Sequence, residues 1–258
     1  MIRFLNKQQS INEFSTSDYL KDIRVHEFKF RQNKKKLKAK SRTELMLFYF
    51  DSIMQFTYEE QELLQQATNK ALQKLNNWFP NFLKDTEIKF IKVEGTLDWN
   101  MPYTINNCIV MPYIMLKNKK ELVKTIVHEL IHIHQRINPE FYSNLYSGIF
   151  SFEHTNCIIN LSNYENITIT NPDTNNTQWI IQLYDGLYYP AMIYINNTSQ
   201  EVLFRIKRDN NNCYVAIDNP LKAHSRKDYI ELLRGCNEQI SHPNEIIACS
   251  IVTALFKN

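Results

Sequence analysis

The chain has 258 residues, 43% hydrophobic and 22% charged, an ordinary composition for a soluble globular protein with room for one large domain or two modest ones. A net charge of +3 and a pI near 8.4 are too mild for nucleic-acid binding by the molecule as a whole. Cys108, Cys157, Cys213, Cys236 and Cys249 are odd in number and never spaced C-x-x-C, which argues against a disulfide framework or a thiolate metal site and for reduced thiols.

Residues 1–42 are polar and broken in pattern, so they read as an arm or partly ordered extension. The arm ends in a dense basic run of Lys29, Arg31, Lys34, Lys35, Lys36, Lys38, Lys40 and Arg42. Such a run reads first as a solvated linker, with a polyanion-binding or nuclear-import segment as the second reading. The first residues lack a sustained apolar core, and no stretch approaches the roughly 20 apolar residues of a membrane span. An intracellular location, cytoplasmic or nuclear, is therefore expected, with the sequons at Asn166, Asn175 and Asn197 left unmodified.

Residues 43–56 form a short apolar helix, and the capping-box spacing of Thr57 and Glu60 opens a second helix that runs to about Phe79, with Pro80 as its stop. Residues 87–94 alternate Ile88, Phe90 and Ile91 with charges and read as a strand, as do residues 107–111. A long helix follows from a cap at Asn118 to about Ile137, and Asn138-Pro139 stops it and starts another through about Tyr146. Residues 165–218 change character. Runs at 167–170, 178–184, 189–195, 201–207 and 213–217, separated by Asn, Asp and Gly turns such as Asp185-Gly186, predict an antiparallel meander. The chain returns to helix over 226–234 and 243–256. The whole reads as an α+β fold, with residues 43–258 as one domain behind the arm.

The long helix carries His128, Glu129 and His132, an H-E-x-x-H pattern. Residues four apart stand one above the other on a helix, so both imidazoles aim at one ion while Glu129 leaves the helix beside them, placed to act as a base on a water. The competing reading, a chance pattern of satisfied core histidines, meets an energetic objection. Val123, Ile126, Val127, Leu130, Ile131 and Ile133 make the helix apolar nearly all round. Burying these polar groups unpaired would cost about 1–3 kcal/mol for each, and more for the charge. One metal ion accounts for all three.

Catalytic zinc usually has three protein ligands and an open position, so a third is required. The extended H-E-x-x-H-x-x-G-x-x-H pattern is absent, because Gln135 stands at the glycine and Asn138 at the last histidine. His134 points to nearly the opposite side of the helix from His132 and is expected to pack or hydrogen bond. Glu245 is the leading candidate: Pro243 fits a first helical turn, Glu245 lies close behind it, and Ala248 leaves room for a close crossing. His242 is its main rival, with His154, His224, Asp173 and Glu153 further behind.

H-E-x-x-H followed far downstream by His-Pro-x-Glu-x-x-Ala, here His242, Pro243, Glu245 and Ala248, resembles the gluzincin class of zinc metallopeptidases. The likeness covers residues 87–137 and the last sixteen or so. Metallopeptidases of large DNA viruses are similar in layout, with Asn171-Pro172-Asp173 and Tyr188-Tyr189-Pro190 in a comparable insert. The resemblance implies a zincin-like core with an active-site helix, a small mixed sheet and the β-rich insert. It implies one Zn2+ held by His128, His132 and Glu245, Glu129 as general base and acid, and peptide or protein substrates that pair with an edge strand beside the cleft.

A donor for the developing oxyanion is expected from Tyr188, Tyr189, His224 or Arg234, although both tyrosines also suit packing against a sheet face. Asp173 is a candidate for orienting a ligand imidazole. The alternative class is a zinc-containing binding or structural protein with an inactive site, docking to nucleic acid or a partner through the basic arm.

Overall fold

The computed structural model describes all residues except 30, 32–38, 96, 175–176, 197, 210–212, 235 and 258. The fold is α+β and divides into two compact units, Met1–Ile137 with Ile251–Asn258, and Asn138–Ser250.

The first unit begins with strand β1 (Ile2–Phe4), helix α1 (Lys7–Thr16), helix α2 (Asp18–Asp22) and a 3-10 turn at Val25–Lys29. A reciprocal capping box between Asn6 and Gln9 opens α1, which satisfies two otherwise orphaned amides at its first turn. Helix α3 (Arg42–Asp51), capped by Ser41, leads through strand β2 (Ile53–Met54) to helix α4 (Tyr58–Asn76). The expected capping box at α4 is formed, Glu60 N–H donating to Thr57 Oγ1 at 3.3 Å and Thr57 N–H to Glu60 Oε2 at 2.8 Å.

Strands β3 (Ile88–Val93), β4 (Tyr103–Ile105) and β5 (Cys108–Pro112) complete a sheet of order β1-β3-β5-β4, with β2 also paired to β3. β1, β3 and β5 run parallel, while β2 and β4 are antiparallel to their neighbours. Every residue of β5 is buried, as a parallel strand covered on both faces requires. The strand expected at 107–111 is thus interior to the sheet, and β4 supplies the edge beside it. Helix α5 (Lys119–Ile137) follows and packs on α4.

The arm expected over residues 1–42 is corrected for its described part. β1 pairs residue for residue with Ile88 to Phe90, and Leu5, Phe14, Tyr19, Leu20, Ile23 and Phe28 are buried in one cluster with Leu45, Tyr49 and Ile91. Short helices broken at Ser17 and Ile23 scatter these apolar residues, so no helical or strand period runs long enough to show. The basic run is also divided. Arg31 is 1% exposed and ion-paired to Glu27 at 2.6 Å and Asp98 at 3.0 Å, and Arg42 donates to the carbonyls of Leu20 and Ile23. Lys34, Lys35, Lys36 and Lys38 lie outside the described residues. Among the described residues no helix is long and apolar enough to cross a membrane.

The second unit opens with helix α6 (Pro139–Phe150), Pro139 taking the first-turn position where its missing N–H costs nothing. Strands β6 (Phe152–Thr155), β7 (Ile159–Asn160), β8 (Gln178–Leu183), β9 (Gly186–Ile195), β10 (Thr198–Arg208), β11 (Tyr214–Ala216) and β12 (Leu221–Lys222) form a sheet of order β6-β8-β9-β10-β11-β7, with β12 beside β10. All pairs are antiparallel except β11 with β7, so the expected meander is its centre. Its boundaries are wider than 165–218, because β6, β7 and β12 are too short to carry an alternating pattern. The run at 167–170 is no strand: a 3-10 turn occupies Ser162–Ile167, and Thr168 makes a single bridge to Ile193. Helix α7 (Lys227–Leu232) and helix α8 (Pro243–Phe256) close the chain.

Candidate metal centre

Helix α5 places His128, Glu129 and His132 where the sequence pattern puts them, with Glu129 3% and His132 1% exposed and His128 half-buried. The two histidine Nε2 atoms stand 2.9 Å apart, their ring planes 77° to one another. Two imidazole nitrogens each about 2.0–2.1 Å from a tetrahedral zinc are separated by roughly 3.3 Å, so the pair needs to open by only a few tenths of an ångström to hold one. His132 Nδ1 lies 2.8 Å from Gln135 Oε1. An amide oxygen only accepts, so Nδ1 carries the proton and the lone pair sits on Nε2, the tautomer a metal requires.

Arg136 fastens the end of α5 to β4, donating to Thr104 Oγ1 and, at 2.9 Å, to the Thr104 carbonyl. His134 stacks on Phe82 with centroids 4.4 Å apart, and burial lowers its pKa. It has the packing role expected of a residue turned away from the pair.

Glu245 lies in the first turn of α8 and is 2% exposed. Its Oε1 accepts a 2.6 Å hydrogen bond from Asn171 Nδ2. Among the described residues, His128, His132 and Glu245 form the one group of three His, Cys, Asp or Glu side chains whose ligand atoms all lie within 4.8 Å of one another. Two imidazoles and a carboxylate are a donor set that suits zinc with a coordination position left open.

The other candidate ligands lie outside this group. His242 caps α8: its Nδ1 accepts the Asn244 N–H at 3.1 Å, so its Nε2 carries the proton and donates to the Thr177 carbonyl at 3.1 Å. A histidine so used has no lone pair left for an ion. His154 is exposed on β6 with its ring edge-on to Trp179, Glu153 is exposed beside it, and Asp173 accepts from Asn244 Nδ2 through its backbone carbonyl.

Of the expected oxyanion donors, Tyr188 and Tyr189 lie on β9, His224 in a 3-10 turn and Arg234 in a turn after α7. Tyr188, on β9, donates its hydroxyl to Asp185 Oδ2 at 3.1 Å and accepts from Arg226 Nη1 at 2.8 Å, with the guanidinium also over its ring. Tyr189 is half-buried on the same strand against the apolar cluster of the sheet. His224 is paired with Glu201 at 3.1 Å with half its side chain exposed, and Arg234 is exposed in a turn of left-handed backbone.

Gln135 and Asn171 are hydrogen-bonded to members of this group. Gln135 stands three residues after His132 on the same helix face, a readable signal. Asn171 carries no local signal, because its partner lies on a different element. Compared with known proteins, the chain matches no family model, no curated protein and no solved structure.

Proposed function

We propose that the chain is a zinc-dependent metallopeptidase of the gluzincin type, with a zincin-like core, that hydrolyses peptide bonds in peptide or protein substrates. The observation that carries this reading is the approach of the ligand atoms of His128, His132 and Glu245 to within 4.8 Å, with Glu129 next to His128 on the same buried helix. A structural zinc site has no use for a carboxylate in that place.

Zinc held by His128, His132 and Glu245 would supply Lewis acidity to a substrate carbonyl and to a water. His132 is held in the ligating tautomer by Gln135. Glu129 takes the proton from the attacking water and delivers it to the departing amine nitrogen, acting as base and then as acid. Its burial removes competing solvent from that transfer.

Metal analysis of the purified protein is expected to find one zinc per chain, and Glu245→Ala to bind it far more weakly, through the two histidines alone. Glu129→Gln is expected to keep the zinc and lose at least about 100-fold in kcat, the scale of a lost general base. Undiminished digestion of a peptide library by the Glu129→Gln protein would defeat the mechanism, and full zinc affinity in Glu245→Ala would remove that residue from the ligand set.

A further inference from the structure

The segment that precedes β8 grips the first turn of α8 at three places. Asn171 Nδ2 donates to Glu245 Oε1 at 2.6 Å, Asn244 Nδ2 donates to the Asp173 carbonyl at 2.7 Å, and the Thr177 carbonyl accepts from His242 Nε2 at 3.1 Å. Three successive contacts of the α8 start, at His242, Asn244 and Glu245, thus go to one short stretch of backbone and one side chain. All of these groups belong to the second unit.

Asn171 is itself fixed. Its Oδ1 accepts the Asp173 N–H at 2.9 Å, an Asx turn, and its carbonyl accepts from Thr174 Oγ1 at 2.9 Å. The turn leaves the amide NH2 directed at Glu245, and the 3-10 turn at Pro172–Thr174 begins with a proline that limits the backbone's alternatives. A neutral donor on a buried carboxylate fixes its rotamer and offsets part of the cost of its burial without neutralising the charge a cation needs. A lysine or arginine there would compete with the cation, and an aliphatic residue would let the carboxylate turn.

Resting on the zinc reading above, we infer that Asn171 is a positioning residue for the third ligand: it holds the Glu245 carboxylate in one orientation, ready for the ion before the ion binds. Residues of this kind raise affinity by removing the cost of ordering a ligand, and their loss typically weakens metal binding about 10–100-fold.

The test compares wild type with Asn171→Ala and Asn171→Ser, measuring zinc affinity by chelator competition and the melting temperature of the zinc-free protein. Serine retains an acceptor for the Asp173 N–H, so the turn survives, but it is too short to reach Glu245. Both variants are expected to bind one zinc about 10–100-fold more weakly, with the serine variant melting, zinc-free, close to wild type. On a Glu245→Ala background, Asn171→Ser is expected to have no further effect on residual zinc binding, because its partner is gone. Wild-type affinity in both variants overturns the inference and leaves the zinc reading standing. An equal loss with and without Glu245 also overturns it, since the effect then does not pass through that carboxylate. A wild-type protein that takes up no zinc overturns both.

Discussion

Gln135 shows how one residue sets the chemistry of another without touching a substrate. Its carbonyl oxygen holds the proton of His132 on Nδ1, and Gln135→Leu, similar in size and without an acceptor, frees the ring to adopt the other tautomer and to swing. Zinc affinity is expected to fall about 10–100-fold by chelator competition; an unchanged affinity would show that packing alone orients the ring. A second residue-scale effect lies at Arg226, whose hydrogen bonds hold the Asp185 carboxyl down to about 2, from an ordinary value near 3.8, and also lower Asp228. A folded-state pKa below the unfolded one stabilises the fold above the unfolded value, and that stabilisation is lost as pH falls through the folded value. The difference in urea midpoint between wild type and Arg226→Gln is therefore expected to shrink as pH drops from about 4 to about 2. Because both carboxylates are substantially exposed, the difference is expected to be small and to weaken with salt.

Among the elements, α8 does the most for its length. It starts at a histidine cap, carries Glu245 within its first turn, and ends with Phe256 against the ammonium groups of Lys74 and Lys124. His242→Ala removes the acceptor for the Asn244 amide and the donor to Thr177, and is expected to cost about 1–3 kcal/mol in urea unfolding, a lost cap plus a carbonyl left unmet. Thr57→Ala at α4 removes a cap from a helix whose other contacts remain, and about 1 kcal/mol is expected there. Retained stability in the His242 variant would show that solvent replaces both bonds. The capping box at α4 and the β8–β9 hairpin at Tyr184 and Asp185 were both legible beforehand, because each is written within a few consecutive residues. The 3-10 turn at Ser162–Ile167 was not, because β-branched residues at 167–170 mimic a strand whose pairing partners are already taken.

At the scale of the molecule, the N-terminal segment is part of the first unit's core. Leu5, Phe14, Tyr19, Leu20, Ile23 and Phe28 are each buried, and about 1.5–3 kcal/mol for each such side chain sums to as much as a typical domain's whole net stability. A chain that starts at residue 43 is expected to be insoluble or to show no cooperative thermal transition by circular dichroism. A truncated protein with wild-type melting behaviour would restore the reading of an accessory arm. The same segment supplies Arg31 to a buried group with Glu27, Asp98, Tyr19 and Tyr49, in which Asp98 accepts from both tyrosines. Arg31→Met leaves Asp98 buried without its cation and Glu27 ion-paired to Arg24, and a loss of about 3–5 kcal/mol in urea unfolding is expected.

What the sequence settled by itself is whatever depends on neighbours along the chain. The helical spacing of His128, Glu129 and His132, the capping box at Thr57, and the runs that become β8 to β10 follow from backbone geometry over a few residues, where local chemistry has no competitor. Tertiary structure decided the rest. Only packing withdraws Arg31 from a basic run into a pair with Asp98, commits both nitrogens of His242 so that the carboxylate beside it is left as the ligand candidate, and brings the Asn171 amide to Glu245. Those outcomes hinge on contacts between distant segments, whose closure depends on the energy of the whole core rather than on any pattern within one window.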